Sequence, residues 1–304
     1  MEHPHEHTHR HASQGAYWYA FTIVVVIFAA ALAYGYMRMQ EVDAHIADLA
    51  SSTAALERDL TALRADTSGL SQNLASTQQS ISNVQTQVGG VTQTVGSITG
   101  QVSTLQKLAN TDPELLKKYS KVYFLNENYT PQSLAAIPQQ MVYSNTKQED
   151  FLTQALPYLE NMIAAAKNDG ITMYVASAYR SFGTQATLKA DYVMSYGEGA
   201  NAFSADQGYS EHQLGTTVDF IAPGMDGQLT DAFDKTAAFN WLKQNAYKFG
   251  FEMSYPQGNS YYVYEPWHWR FVGVKLATYL HDNNENFYDM DQRDIDTYLV
   301  DLFD

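Results

Sequence analysis

A thirteen-residue stretch, GYSEHQLGTTVDF at 208–220, combines residue types that can bind a metal ion. His212 lies three positions before Gly215, and Asp219 follows four positions after it. If Gly215 turns the chain into a strand over 216–221, Asp219 projects from the wet or site-facing side, opposite its apolar neighbours. His212 and Asp219 can then converge, although alone the first is more often a capping or core histidine and the second a solvated acid.

A third metal ligand is available in the sequence YEPWHWR, which contains His268. The chain has no cysteine, so histidines and carboxylates must supply every ligand. A hydrolytic zinc site uses three protein ligands and one water. Outside the N-terminal tail the other histidines are His45 and His281, in a predicted coiled coil and a late helix. We therefore expect His212, Asp219 and His268 to share a zinc ion.

Glu265 precedes His268 by three positions, and in a regular strand these two side chains would face opposite sides. Pro266 favours a bulge or a sheet edge, because proline cannot donate to the ladder, and this would bring both side chains to one cavity. Metal lowers the pKa of bound water to about 7, and a free carboxylate can accept its proton and pass it to a leaving amine. Glu265 is the candidate base.

Arg180 follows a predicted buried strand over 171–179. Its guanidinium is always charged and matches a carboxylate in a bidentate way, which suits a peptide C-terminus or a developing oxyanion. A structural ion pair with one of the many acids is the alternative. Neighbouring aromatic residues either line a groove for glycan or peptide or pack in the core: Tyr255, Tyr261, Tyr262, Tyr264, Trp267 and Trp269.

The elements that must position these residues follow Asp112–Pro113. Helices are predicted over 151–168, 184–196, 236–249 and 273–283. Strands are predicted over 171–179, 216–221, 251–254 and 261–270. Because strands and helices do not alternate regularly, we predict an α+β domain over 112–304 with a small antiparallel sheet and flanking helices.

Residues 17–37 are predicted to form a single transmembrane helix. The run YWYAFTIVVVIFAAALAYGY has no charge over about 20 residues, which matches a hydrocarbon core about 30 Å thick, and aromatic residues stand at both ends. A cleaved signal peptide is the alternative, but the run is long for one and no small-x-small cleavage site follows. Residues 1–16 are predicted to form a solvated, disordered His-rich tail, and loose chelation of metal ions is the alternative.

A coiled-coil stalk is predicted over 38–111. Apolar residues or threonine recur at alternating steps of four and three from Val42 to Leu105. A strict 3.5-residue period makes the stripe follow a left-handed supercoil, so we expect a homo-oligomer or another partner helix. Four glycines in the second half lower helix propensity by up to about 1 kcal/mol each, and a flexible Ser/Thr/Gln-rich linker is the alternative.

The charge balance argues against nucleic acid as a partner. Acidic residues outnumber basic ones 33 to 18, for a formal net charge of -15. Affinity for phosphates comes from clustered lysine and arginine, so this composition excludes the class of nucleic-acid-binding proteins.

Three motifs resemble the zinc carboxypeptidases of the VanY type, which trim D-alanine from cell-wall stem peptides. They are S-A-Y-R-S-F-x-x-Q at 177–185, S-E-H-Q-x-G-x-x-x-D at 210–219 and E-P-W-H-W-R at 265–270. The likeness covers about residues 120–285, and Ala178 replaces a glycine of the usual pattern. The resemblance assigns zinc to the three ligands above, catalysis to Glu265 and Arg180, and substrate contacts to Arg180, Gln185 and Ser210.

This resemblance implies a membrane-anchored zinc metallopeptidase that trims the terminal D-alanine from peptidoglycan stem peptides, by Glu-assisted attack of zinc-bound water. The motifs do not separate D,D-carboxypeptidase from L,D-carboxypeptidase or endopeptidase activity. Peptidoglycan lies outside the cytoplasmic membrane, so the catalytic domain would be extracytoplasmic. The alternative is a non-catalytic wall-binding scaffold that oligomerises through its coiled coil, although a degenerate enzyme would be expected to lack a ligand or the base.

Overall fold

The structure is a computed structural model that describes residues 11–119, 123–196, 205–259 and 261–304. Within it the chain divides into two compact units, with the boundary between Val95 and Gly96. His3, His5, His7 and His9 of the predicted tail lie outside the described residues.

A single helix, α1, runs from His11 to Asn110. It includes the last six residues of the predicted tail, 11–16, and continues without interruption through the glycines of the stalk. The stalk is therefore helical rather than an irregular linker. Apolar side chains of the heptad stripe are 46% to 73% exposed along this helix. By length and composition, one part of α1 near its N-terminus is able to cross a membrane.

The rest of the chain confirms the predicted α+β class. Its strands are β1 (Leu134–Ala136), β2 (Asp150–Leu152), β3 (Tyr174–Ser177), β4 (Thr217–Ile221), β5 (Phe251–Glu252) and β6 (His268–Phe271). β1 and β2 pair as a small antiparallel sheet, and the other four form an antiparallel sheet in the order β3-β4-β6-β5. The helices are α2 (Leu156–Asn168), α3 (Phe182–Tyr196), α4 (Ala237–Asn245), α5 (Val274–Asn283) and α6 (Gln292–Thr297).

The central strands carry residues that matter for the site. On β4 and β6, Asp219 lies directly opposite His268, and Thr217 lies opposite Arg270. All five residues of β4 are buried, so Asp219 faces the site from the middle of the domain rather than from a solvated face. Helices cover this sheet, and their contacts with it form one continuous apolar core.

Several predicted elements have other bounds in the structure, and proline is involved in two of them. The strands expected over 171–179 and 251–254 are shorter, as β3 and β5, and the helix expected over 236–249 is α4 followed by a 3-10 turn over Ala246–Phe249. The strand expected over 261–270 is limited to β6, because Pro266 lies in a turn in which the N–H of His268 donates to the carbonyl of Glu265. The helix expected from 151 begins at Leu156, with Pro157 in its first turn, where a missing N–H costs no helical hydrogen bond. Residues 150–152 instead pair with β1.

Candidate metal and active site

His212 is presented by a short 3-10 turn, Glu211–Leu214, that leads into β4. The turn ends at Gly215, whose φ of 70° is left-handed and whose N–H donates to the carbonyl of His212 at 3.1 Å. A Cβ atom at Gly215 would lie 3.0 Å from Leu134 Cδ2. Glycine therefore suits this position for both its backbone conformation and its close packing.

The structure brings the three predicted metal ligands together. Asp219 Oδ2 lies 3.2 Å from His212 Nε2, and Asp219 Oδ1 lies 3.1 Å from His268 Nδ1. One ligand atom from each of the three side chains lies within 4.8 Å of the others, and all three residues are buried. Tetrahedral ligands about 2.1 Å from a zinc ion are about 3.4 Å apart, and the two distances from Asp219 to the histidines are close to that value.

The hydrogen bonds of the two imidazoles leave one nitrogen of each ring for a metal. His212 Nδ1 lies 2.6 Å from the carbonyl of Ala178, and because a carbonyl only accepts, Nδ1 carries the hydrogen. His212 Nε2 is buried and has no hydrogen-bond partner among the described residues. His268 Nε2 lies 3.0 Å from Glu211 Oε2, which leaves Nδ1 directed toward Asp219. His212 Nε2 and His268 Nδ1 therefore point to the same carboxylate and are the nitrogens available to a metal.

Burial and charge shift the pKa of each ligand. Burial, helped by Arg180, lowers the pKa of His212 to about 4. Burial also opposes a charge on His268, but hydrogen bonds to Asp219 and Glu211 outweigh it and raise the pKa of His268 to about 9. Although burial acts in the other direction, the two histidines hold the pKa of Asp219 well below its usual range. A cation entering this site competes with the proton of His268.

Glu265 lies beside the three ligands. Its Oε2 atom is 3.5 Å from His268 Nδ1, and 20% of its side chain is exposed. Burial raises the pKa of Glu265 to about 7, even though the charge of His268 acts in the opposite direction. A carboxylate that titrates near neutrality can both accept and donate a proton. Glu265 and His268 meet because of the turn at Pro266, rather than through the bulge or sheet edge expected from the sequence.

These groups line a cavity of about 610 Å³, together with Arg180 and Ser210. The backbone N–H of Arg180 donates to the carbonyl of His212 at 3.2 Å, and its Nε is buried with no hydrogen-bond partner in the described part of the chain. Gln185 is buried and does not line the cavity. Its Nε2 donates to the carbonyl of Ala205, a residue of the cavity wall, at 2.8 Å. Arg180 and Ser210 are thus within reach of a bound ligand, whereas Gln185 supports the wall.

The aromatic residues take both roles that the sequence allowed. Tyr264 lines the cavity, Trp269 belongs to the apolar core, and Tyr255 and Trp267 do both. Tyr262 packs against the core, and Tyr261 is exposed. The ring of Tyr255 stacks on His268, with 4.0 Å between centroids and 9° between planes.

Sequence reasoning missed Glu211, which is fully buried beside His212 in the chain but contacts His268 in space. Burial alone would raise its pKa, yet Arg270 and His268 lower the pKa of Glu211 to about 2. The one sequence feature that could have drawn attention to Glu211 is its position as an acidic residue within the motif at 210–219. Its partners come from distant segments, so spacing could not identify its role.

Known proteins are similar to this region in both sequence and fold. Residues 148–274 match the family described as VanY, D-alanyl-D-alanine carboxypeptidase. YodJ of Bacillus subtilis (strain 168), a carboxypeptidase by name, is 34% identical over 185 residues, which cover 59% of this chain and 67% of YodJ. A D-alanyl-D-alanine carboxypeptidase of Enterococcus faecalis (strain ATCC 700802 / V583) is 35% identical over 135 residues, or 40% of this chain and 48% of that protein.

Among solved structures, the LD-carboxypeptidase LdcB aligns with a TM-score of 0.53 and 34% identity, over 58% of this chain and 85% of LdcB. The matched residues 148–274 contain Arg180, the three predicted metal ligands and Glu265. The chain therefore belongs to the VanY D-alanyl-D-alanine carboxypeptidase family.

Proposed function

We propose that this protein is a zinc-dependent carboxypeptidase that removes the terminal D-alanine from peptidoglycan stem peptides. The observation that carries the proposal is the meeting of His212, Asp219 and His268 in the wall of one cavity, next to Glu265 and Arg180. Family membership supports the reaction class, and the similar enterococcal protein is named for D-alanyl-D-alanine.

The donor set supports zinc as the metal. Two imidazole nitrogens and one carboxylate oxygen are ligands that zinc accepts in hydrolytic enzymes, where a fourth position stays open. A zinc ion held by these residues would supply a Lewis acid that activates water and polarises a carbonyl.

Glu265 would act as the general base. Its Oε2 would accept a proton from the water that attacks the carbonyl carbon before the terminal residue. As the peptide bond breaks, the same carboxyl group would deliver that proton to the leaving amine and release D-alanine. A pKa raised to about 7 by burial suits both transfers near neutral pH.

Arg180 would bind negative charge on the substrate. Its guanidinium can pair with the C-terminal carboxylate of a stem peptide or with the charge that develops on the carbonyl oxygen. Support comes from its place in the cavity wall and from its buried, unpartnered Nε. Ser210, in the same wall, would contact the substrate backbone, and Gln185 would act through the wall it supports.

We also propose that residues 17–37 anchor the chain in the cytoplasmic membrane, with the N-terminus inside and the catalytic domain outside. The stalk at 38–111 would associate with further copies of itself as a coiled coil and carry the domain toward its substrate. The continuous helix and the exposed heptad stripe support this arrangement. Burying such a stripe between helices is what stabilises a coiled coil.

Defined stem peptides test the proposal. Full-length protein in detergent would be incubated with tri-, tetra- and pentapeptide stems, with and without a chelator, and the products weighed by mass spectrometry. Loss of one alanine from the pentapeptide alone indicates D,D activity, and from the tetrapeptide L,D activity. No chelator-sensitive loss of alanine from any stem would refute the proposal.

Substitution of the base separates the enzyme from the scaffold alternative. Glu265→Gln should retain zinc and lower turnover by about 10²- to 10⁴-fold, the usual contribution of a general base. Glu127→Gln, a change at an exposed acid, is the matched control and should leave turnover unchanged. Full biological activity of a zinc-loaded Glu265→Gln protein would favour the wall-binding scaffold.

A further inference from the structure

We infer that Glu211 is the positioning residue for the metal ligand His268, and that segments outside the family-matched region hold Glu211 in place. The inference rests on the proposed function, because it assumes that His268 binds the catalytic metal. Its basis is a set of contacts around one buried carboxylate.

The Glu211 carboxylate accepts four hydrogen bonds from four side chains, which belong to three segments of the chain. His268 Nε2 and Ser254 Oγ lie 3.0 and 2.6 Å from Oε2. Arg270 Nη1 and Tyr288 OH lie 2.8 and 2.7 Å from Oε1. The side chain is fully buried, and two donors on each oxygen leave it no freedom to rotate.

This arrangement determines which nitrogen of His268 faces the metal site. A carboxylate only accepts, so His268 Nε2 must carry a hydrogen. The other nitrogen, Nδ1, lies 3.1 Å from Asp219 Oδ1 and would bind the metal in place of a proton. The stacked ring of Tyr255 restrains the plane of the imidazole. A carboxylate behind a ligating histidine also makes it a better electron donor to the metal.

Arg270 stabilises the buried charge of Glu211 and connects it to the N-terminal side of the domain. Its Nη2 donates to the carbonyls of Leu115 and Lys117, at 2.8 and 3.1 Å. The guanidinium also lies over the ring of Phe287, 4.5 Å from its centroid. A buried ion pair needs such additional partners to offset its desolvation.

The flanking segments therefore complete the site. Leu115 and Lys117 precede the matched residues 148–274, and Tyr288 follows them. A purely structural ion pair in the core would affect stability without affecting the metal. Contact with His268 predicts, in addition, an effect on metal affinity and on the ligand geometry around the metal.

The test measures zinc affinity of the full-length protein by competition with a chromophoric chelator, and the visible absorption of the cobalt-substituted protein. Glu211→Gln should weaken zinc binding by about 10- to 100-fold and shift the cobalt bands, as expected when the carboxylate behind a ligating histidine is lost. Tyr288→Phe removes one of the four donors and should produce a smaller change in the same direction.

Glu252→Gln is the matched control. It makes the same acid-to-amide change on the neighbouring strand β5, opposite Arg270, and Glu252 has no described contact with His268. Its zinc affinity should stay within about twofold of wild type. Thermal unfolding of each metal-free protein separates loss of fold from loss of ligand geometry.

A folded Glu211→Gln protein with wild-type zinc affinity and cobalt bands would overturn the inference. If Glu211→Gln does not fold, the double variant Ser254→Ala/Tyr288→Phe decides: weaker zinc binding supports the inference, and unchanged binding overturns it. Failure of the wild-type protein to bind zinc would instead refute the proposed function.

Discussion

Apolar side chains are exposed on the long helix α1 and buried in the globular unit. Leu56 and Leu63 of the heptad stripe are 73% and 63% exposed, whereas Phe220 and Phe251 are fully buried. The sheet of the globular unit is covered by helices from its own chain. A single helix has no such cover, so its stripe gains burial only from another helix or from lipid. The globular unit is stabilised by contacts within its own chain, whereas α1 depends on contacts with another helix or with lipid.

Polar side chains differ in the same way. In α1, the hydroxyl groups of Thr53 and Thr67 donate to carbonyls four residues back, at 2.8 and 2.7 Å. In the globular unit, Glu211 accepts hydrogen bonds from residues 43 to 77 positions away. Local bonds of the first kind can be repeated along a helix without building a site. Long-range bonds of the second kind place chemical groups together, which is why the candidate site lies in the globular unit.

Metal removal should have the largest effect and should be confined to one region. We expect exhaustive chelation to reduce hydrolysis of stem peptides to background, and added zinc to restore it. The helical circular dichroism signal at 222 nm should remain, because the 100 residues of α1 dominate it and carry none of the three ligands. A large loss of that signal on chelation would contradict the independence of the two regions.

A large-to-small substitution should have different effects in the core of the globular unit and in the exposed stripe of α1. Phe251→Ala in the core should destabilise the globular unit by about 3–5 kcal/mol. Leu63→Ala in the stripe should leave the free energy of unfolding of the globular unit within about 0.5 kcal/mol of wild type, while it weakens self-association of α1. Denaturant unfolding followed by tryptophan fluorescence reports on the globular unit, which holds three of the four tryptophans. Analytical ultracentrifugation in detergent measures self-association. Equal losses of unfolding free energy in the two variants would contradict the difference between the two regions.

Glu252 should make the stability of the globular unit depend on pH. Burial, followed by the nearby charge of Glu211, raises the pKa of Glu252 from 4.5 to about 8. Between these values the folded state holds a proton that the unfolded state has released, so stability falls as pH rises. We expect Glu252→Gln to lack this loss and to gain stability relative to wild type from pH 5 to pH 9. A constant difference in melting temperature across that range would contradict the assignment.

Loss of a hydroxyl should have a small effect whose sign depends on the region. Thr236 caps α4, and its Oγ1 accepts the N–H of Phe239 at 3.1 Å, so Thr236→Ala should cost about 1 kcal/mol in denaturant unfolding. Thr53→Ala in α1 removes a hydroxyl that bonds only within its helix and should leave helicity unchanged or slightly higher. Equal destabilisation by both changes would show that α1 relies on its hydroxyl groups.

Local spacing in the sequence was enough to predict several features. The 3.5-residue period marks 42–105 as helical, and α1 is helical throughout that range. Alternation around Asp219 predicts the strand found at Thr217–Ile221. The scarcity of histidines outside the tail selects His268 as partner of His212, and the structure brings the two side chains to the same carboxylate. Each of these depends on residues close in the chain or on a small number of candidates.

Tertiary structure alone decided the supporting contacts and the true ends of elements. The strand expected over 261–270 is limited to the four residues of β6, because the chain turns at Pro266. Glu211 gained its role from Ser254, His268, Arg270 and Tyr288, which no spacing rule links to position 211. Periodicity records which face of an element is apolar. It does not record which distant polar groups meet, because that depends on how all the elements pack around a buried charge.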